Sequence, residues 1–138
     1  MNKVKCFDFD SLADALQGEC PEILFALLHG STAQSGIINP GSDIDVAFYL
    51  DRPLDLELYC KISGVITNSI NDVAEADIGV LNEADPIYRF EALKGRLLFA
   101  RDKELYYRFF SFSCREYEAQ MIDYEIQHKY RLEYRRSA

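Results

Sequence analysis

The chain has 138 residues, 49% of them apolar, and a formal net charge of −8. This length and apolar content suit one hydrophobic core, so we expect a single domain spanning residues 1–138. The negative charge argues against direct binding to nucleic acid or to an anionic membrane, because like charges repel phosphate groups.

The sequence carries no pattern of a signal peptide or a membrane span, since the apolar run at 23–28 is short and follows charged residues. Its four cysteines are scattered without metal-ligand spacing, which is typical of reduced thiols. They are Cys6, Cys20, Cys60 and Cys114. We therefore expect a soluble, cytoplasmic protein.

The first 50 residues predict one helix and two strands. Asp10 or Ser11 can cap a short helix that ends at Gly18. The apolar run at 22–30 predicts a buried strand, and the run at 44–50 predicts a second one. The segment between them is rich in Ser, Gly, Asn and Pro, which indicates a turn or short helix followed by a loop.

The remaining sequence predicts further alternation of helices and strands. Apolar residues at helical spacing indicate an amphipathic helix over 54–70. A short strand at 76–81, a helix opened by Pro86, an edge strand at 96–100 and a long helix from Asp102 to about residue 134 follow. This alternation predicts an α/β (α+β) fold, with a small mixed sheet, helices packed mainly on one face and a long C-terminal helix.

Two aspartates open the second strand in the stretch HGSTAQSGIINPGSDIDVAF. Side chains two residues apart on a strand share a face, so Asp43 and Asp45 point the same way while Ile44 faces the core. Two carboxylates drawn to about 4 Å repel by about 4 kcal/mol at an effective dielectric near 20. Bound Mg²⁺ reverses the sign of this interaction, which makes the pair a candidate metal site.

Two further features can complete this site. Asp77 begins the next strand and joins the cluster if that strand lies beside the first aspartates, where it can share a metal or accept a proton. Gly30 and Ser31 end the first strand, where free N–H groups and a hydroxyl can hold a triphosphate.

Gly30-Ser31, Asp43-Ile44-Asp45 and Asp77 within ADIGVLNEADPIYRFEALKGRLLFARD resemble the minimal nucleotidyltransferases of the DNA polymerase β-like superfamily. The resemblance covers the chain from about residue 20 to the last helix. It implies the polymerase β-like fold, with Asp43, Asp45 and Asp77 as metal-binding and catalytic residues. Gly30 and Ser31 would be the nucleotide-binding residues.

The resemblance also implies a function and a partner. Many such proteins are antitoxins that transfer AMP from ATP, with Mg²⁺, to a tyrosine of a HEPN RNase toxin and so silence it. The segment from Ser31 to the first aspartate is one residue longer here than is usual in the family. The HEPN motif R-x4-H-x-Y is incomplete, because Asp123 stands where it needs arginine before His128. The chain is thus similar to the modifier, and we expect a hetero-oligomer with a separate toxin.

Simpler interpretations remain for each feature. One of Asp43 and Asp45 can cap a turn while the other is solvated, Asp77 can be a solubilising edge residue, and Gly30-Ser31 can be a strand-ending turn. His29 and His128 are expected to be structural and surface residues. Two other functions also remain: an antitoxin that neutralises its partner by binding alone, and a transferase acting on a small molecule.

Overall fold

The computed structural model describes residues 5–6, 8–30, 33, 37–38, 43–70 and 75–137. Within these ranges, four strands form a sheet of order β5-β4-β2-β6, and a two-residue ladder joins β1 to β3. The strands are β1 (Lys5–Cys6), β2 (Ile23–His29), β3 (Ile37–Ile38), β4 (Asp43–Leu50), β5 (Glu75–Val80) and β6 (Arg96–Ala100). The helices are α1 (Phe9–Glu19), α2 (Leu56–Ile70), α3 (Pro86–Leu93) and α4 (Lys103–Ser137).

The sheet is mixed, as the sequence predicts. Strand β2 runs antiparallel to β4 and to β6, whereas β4 and β5 are parallel. The parallel strands β4 and β5 are connected through α2, because parallel neighbours need a crossover connection and a two-residue turn is too short to provide it. The predicted edge strand β6 lies at one edge, and β5 lies at the other.

Helices cover both faces of this sheet. The larger hydrophobic cluster lies between one face and the helices α1 and α2, and it includes Leu16, Ile44, Phe48 and Ile62. A smaller cluster joins the opposite face to α3 and the first half of α4. The α/β class and the long C-terminal helix are confirmed. We expected helices mainly on one face of the sheet, whereas the structure has helices on both faces.

The start of α1 differs from the predicted one. The N-cap is Asp8, whose carboxylate accepts hydrogen bonds from the Ser11 backbone N–H at 3.1 Å and hydroxyl at 2.7 Å. The prediction of Asp10 or Ser11 as the cap was therefore wrong, because the N-cap lies two or three residues earlier. None of the helices within the described ranges is long and apolar enough to cross a membrane.

Two polar side chains fix the turn that follows β5. Asn82 pairs with the backbone of Leu50, accepting from its N–H at 2.9 Å and donating to its carbonyl at 2.8 Å. Arg89 donates to the carbonyl of Leu81 at 2.9 Å and to Glu116 on α4 at 2.8 Å. These contacts tie the ends of β4 and β5 to α3 and α4.

We expect Asn82→Ala to lower the free energy of unfolding by about 1–2 kcal/mol, because it leaves two partly buried backbone groups of Leu50 unpaired. Urea denaturation measures the change. The neighbouring exposed substitution Glu83→Ala is the control and should stay within about 0.5 kcal/mol of the parent. Equal stability of the Asn82→Ala variant would contradict the role of this pair.

Candidate functional site

Three neighbouring strands place polar side chains in one row. Residue His29 of β2 is opposite Asp45 of β4, and Asp45 is level with Asp77 of β5. Side chains at paired positions share a face of the sheet, so all three point to the face that carries α3 and α4. The sheet therefore places Asp77 beside Asp45, as the predicted cluster required of β5.

Glu75 adds a fourth carboxylate to the three predicted aspartates, and we call these four residues the carboxylate array. Asp43 is level with Glu75, two positions before Asp45 and Asp77 respectively. Glu75 was not among the predicted site residues, although Glu75-Ala76-Asp77 repeats the acid-x-acid spacing of Asp43-Ile44-Asp45. Ile44 is fully buried in the larger cluster, as predicted, so the alternation of β4 turns its two aspartates away from that core.

Asp45 and Asp77 stand side by side on adjacent parallel strands, so each carboxyl group acts on the charge of the other. Burial raises the pKa of Asp45, and the neighbouring carboxylates of Asp77 and Asp43 raise it further, although His29 opposes them. A positive charge placed between the two groups would relieve this repulsion.

Two side chains without charge, His29 and Tyr88, lie around Asp45 and Asp77. Burial lowers the pKa of His29 and outweighs the attraction of Asp45, Asp77 and Glu91, so the ring is uncharged near pH 7. Burial also raises the pKa of Tyr88, and the carboxylates of Asp77 and Asp45 act in the same direction. The Tyr88 ring lies edge-on to His29, with 5.8 Å between the ring centroids.

Tyr88 reaches this face because Gly79 has no side chain. A Cβ atom on Gly79 would meet the Tyr88 hydroxyl. Tyr88 was not among the predicted site residues. The sequence signal for it is Gly79, because a glycine inside a strand marks a close approach by another group.

Gly30 closes β2 next to Asp45. Its φ of +81° lies in the left-handed region, and a Cβ atom there would come within 2.5 Å of Asp45 Oδ2. The turn thus lets the backbone approach the carboxylate closely. Ser31, the other predicted nucleotide-binding residue, lies outside the described residues.

His29 and Gly30 help to line a cleft of about 460 Å³. Its rim carries two cationic side chains, Lys94 and Arg96, which were not among the predicted site residues. Lys94 lies 3.2 Å from the carboxylate of Glu91, and Arg96 lies over the Phe9 ring, 3.7 Å from its centroid. The cleft is therefore lined by two cationic side chains and by the carboxylate of Glu91, next to His29 and Gly30.

Carboxylate oxygens are hard donors, and a close pair of them suits a hard divalent cation such as Mg²⁺. Asp45 and Asp77 fit this requirement, because they stand level on adjacent strands and face the same side of the sheet. Across the described part of the chain, however, no group of three or more His, Cys, Asp or Glu side chains is close enough to hold a metal ion. The structure thus provides a two-carboxylate core for such a site, with Asp43 and Glu75 further out.

Residues 10–104 match the family model described as polymerase beta, nucleotidyltransferase. No curated protein sequence is significantly similar to the chain.

Several solved structures share its fold. A chain of a toxin–antitoxin complex with AMP-PNP has a TM-score of 0.72 at 15% identity, covering 91% of this chain and 99% of that one. A chain of the MntA–HepT toxin–antitoxin complex has a TM-score of 0.65 at 14% identity, covering 90% and 96%. A structure of a tri-AMPylated Shewanella oneidensis HEPN toxin in complex with MNT antitoxin gives 0.66 at 14% identity, covering 90% and 95%.

We expect Gly30→Ala to lower the free energy of unfolding by about 1–3 kcal/mol, because a left-handed φ strains an L-residue and the new Cβ meets Asp45. The matched control is Gly18→Ala in α1, where nothing lies within 4 Å of the added Cβ. That change should stabilise by up to about 1 kcal/mol, because alanine favours a helix. Chemical denaturation compares the two, and equal effects would contradict this account of Gly30.

We expect Asp45→Asn to raise the melting temperature at pH 7 in metal-free buffer. The folded protein raises the pKa of Asp45, so the ionised carboxylate is destabilising at neutral pH, and the advantage of Asn disappears as acid protonates the group. Asp51→Asn at the other end of β4 is the control, because a hydrogen bond from Arg52 lowers the pKa of Asp51. It should show no gain at pH 7. Melting curves from pH 7 to pH 3 test both, and a less stable Asp45→Asn variant at pH 7 would contradict the expected sign.

Proposed function

Because the chain belongs to the polymerase β nucleotidyltransferase family, we propose that it is an antitoxin that transfers AMP from ATP to a tyrosine of a HEPN toxin. The observation that carries this proposal is the placement of Asp45 level with Asp77 on adjacent parallel strands, with both side chains on one face of the sheet. The toxin–antitoxin structures with the same fold, one with AMP-PNP and one with a tri-AMPylated HEPN toxin, support the choice of donor and acceptor.

The carboxylate array is suited to handling a nucleotide through a cation. Asp45 and Asp77 would hold Mg²⁺, with Asp43 on the same face two residues away. When bound, the ion would neutralise the charge that develops on the triphosphate. A chain of net charge −8 needs such a cation, since its own carboxylates would otherwise repel ATP.

The cleft beside the array provides a position for the phosphates. Gly30 offers its backbone at a sharp turn, and Lys94 and Arg96 bring positive charge to the same cleft. We assign Ser31 to the same task from its place in the sequence. Binding and orienting the triphosphate here would leave its α-phosphorus near the carboxylates, and positioning of this kind is the main protein contribution in phosphoryl-type transfers.

The transfer itself is a substitution at phosphorus. The tyrosine hydroxyl oxygen forms a bond to the α-phosphorus of ATP, the bond from that phosphorus to the bridging oxygen breaks, and pyrophosphate leaves. Asp77 is exposed at the edge strand β5, where an acceptor from another protein can reach it. Its carboxylate would accept the phenol proton and pass it to water.

We expect Asp77→Asn to reduce transfer at least about 100-fold, since it removes both a cation ligand and the proton acceptor. Intact-mass spectrometry of the co-expressed toxin, after incubation with ATP and Mg²⁺, should show AMP-sized gains with the parent protein and none with the variant. Asp14→Asn on the exposed face of α1 is the matched control and should retain full transfer.

Two other results would contradict the proposal. Normal transfer by Asp77→Asn would remove the role of that residue. Neutralisation of the toxin by Asp45→Asn and Asp77→Asn, without any change in toxin mass, would instead favour an antitoxin that acts by binding alone.

A further inference from the structure

The second half of α4 extends away from the rest of the described structure. Earlier in the helix, Phe109 and Phe110 pack against the sheet, and Tyr117 stacks on Phe90 with 3.9 Å between ring centroids. From residue 122 to residue 136 every side chain is exposed. These 15 residues form about 22 Å of helix, because each residue of a helix rises about 1.5 Å.

One face of this segment is apolar. Ile122, Ile126 and Tyr130, four residues apart, lie one above another and are 55%, 47% and 66% exposed. We call these three residues the apolar stripe. A helical segment of this length gains little stability from its own backbone in water, and most helices are stabilised by packing their apolar face. The stripe is therefore a surface that another molecule can cover.

The charges along one edge of the stripe are divided along the helix axis. Glu118 and Glu125 come first on this edge and Lys129 and Arg136 follow, all exposed and within about 100° of Ile126 around the helix, while Glu133 lies beyond Tyr130 on the side of the stripe. A second copy of α4 laid parallel would bring like charges together. An antiparallel copy brings the acidic part of each helix against the basic part of the other and also opposes the two helix dipoles.

We propose that the apolar stripe is the docking surface for a second copy of this chain, whose α4 lies antiparallel to the first. The charge pattern selects this occupant, because the segment is complementary to its own reverse. The contact is shorter than a standard interface, so it forms a weak dimer whose population depends on concentration. Added salt weakens the dimer, since exposed charges contribute to it.

Analytical ultracentrifugation of the full chain over a range of concentrations tests the proposal. The parent should form dimers, and Ile126→Gln should raise the dissociation constant at least tenfold. His128→Gln is the matched control, because His128 is also exposed on α4 but lies about 160° around the helix from Ile126. It should dimerise as the parent does, and circular dichroism should show equal helix content in all three proteins.

Charge reversal tests the orientation. Glu125→Lys and Lys129→Glu should each weaken the dimer several-fold, and the double variant should restore it, because antiparallel copies again face opposite charges. A parent that stays monomeric at every concentration would overturn the proposal. So would an Ile126→Gln variant that dimerises normally, or a stripe that is covered only when a HEPN toxin is added.

Discussion

The pairing register of β4 is the constraint on which the rest of the structure depends. Side chains alternate along a strand, so a slip of one residue would turn Asp45 into the core and Ile44 into solvent. The buried residues Ile44, Val46 and Phe48 exclude that slip, because they pack into the larger hydrophobic cluster. The apolar face of β4 thereby fixes which residues of β2 and β5 stand beside Asp45 on the polar face. The geometry of the candidate site is set by the packing on the opposite side of the sheet.

The sequence predicted this part of the molecule well because the information is local. The alternation in DIDVAFYL assigns Asp43 and Asp45 to one face without knowledge of any other strand. The place of Asp77 was conditional on strand order, which depends on contacts far apart in the chain. The cationic rim of the cleft was not predicted at all. Lys94 and Arg96 approach Gly30 only because β6 pairs antiparallel with β2, and no local sequence pattern predicts that pairing.

A site of this kind opposes the stability of the fold that holds it. Asp45 and Asp77 occupy paired positions on two adjacent strands. A fold selected only for stability would fill these positions with apolar or oppositely charged side chains. Compensation comes from polar contacts elsewhere in the sheet. Arg101, for example, donates to the carbonyl of Ile23 at 2.6 Å and to that of Gln17 at 2.7 Å, which joins the start of β2 to the end of α1. The carboxylate repulsion at the site and the hydrogen bonds of Arg101 at the opposite end of β2 are thus separated by the length of one strand.

The position of β6 at the edge of the sheet also bears on how the chain folds during synthesis. Strand β2 is made early and contains no Lys, Arg, Asp or Glu, whereas β6, which covers one of its two edges, is made only after β4 and β5. Until then β2 has an unpaired, apolar edge, which is the kind of edge that recruits strands from other molecules. Synthesis proceeds from the N-terminus, so a growing chain carries this edge for as long as the ribosome takes to reach Ala100. Truncation before β6 would leave it permanently, and the products of such truncation are expected to aggregate even though every residue of the carboxylate array is present.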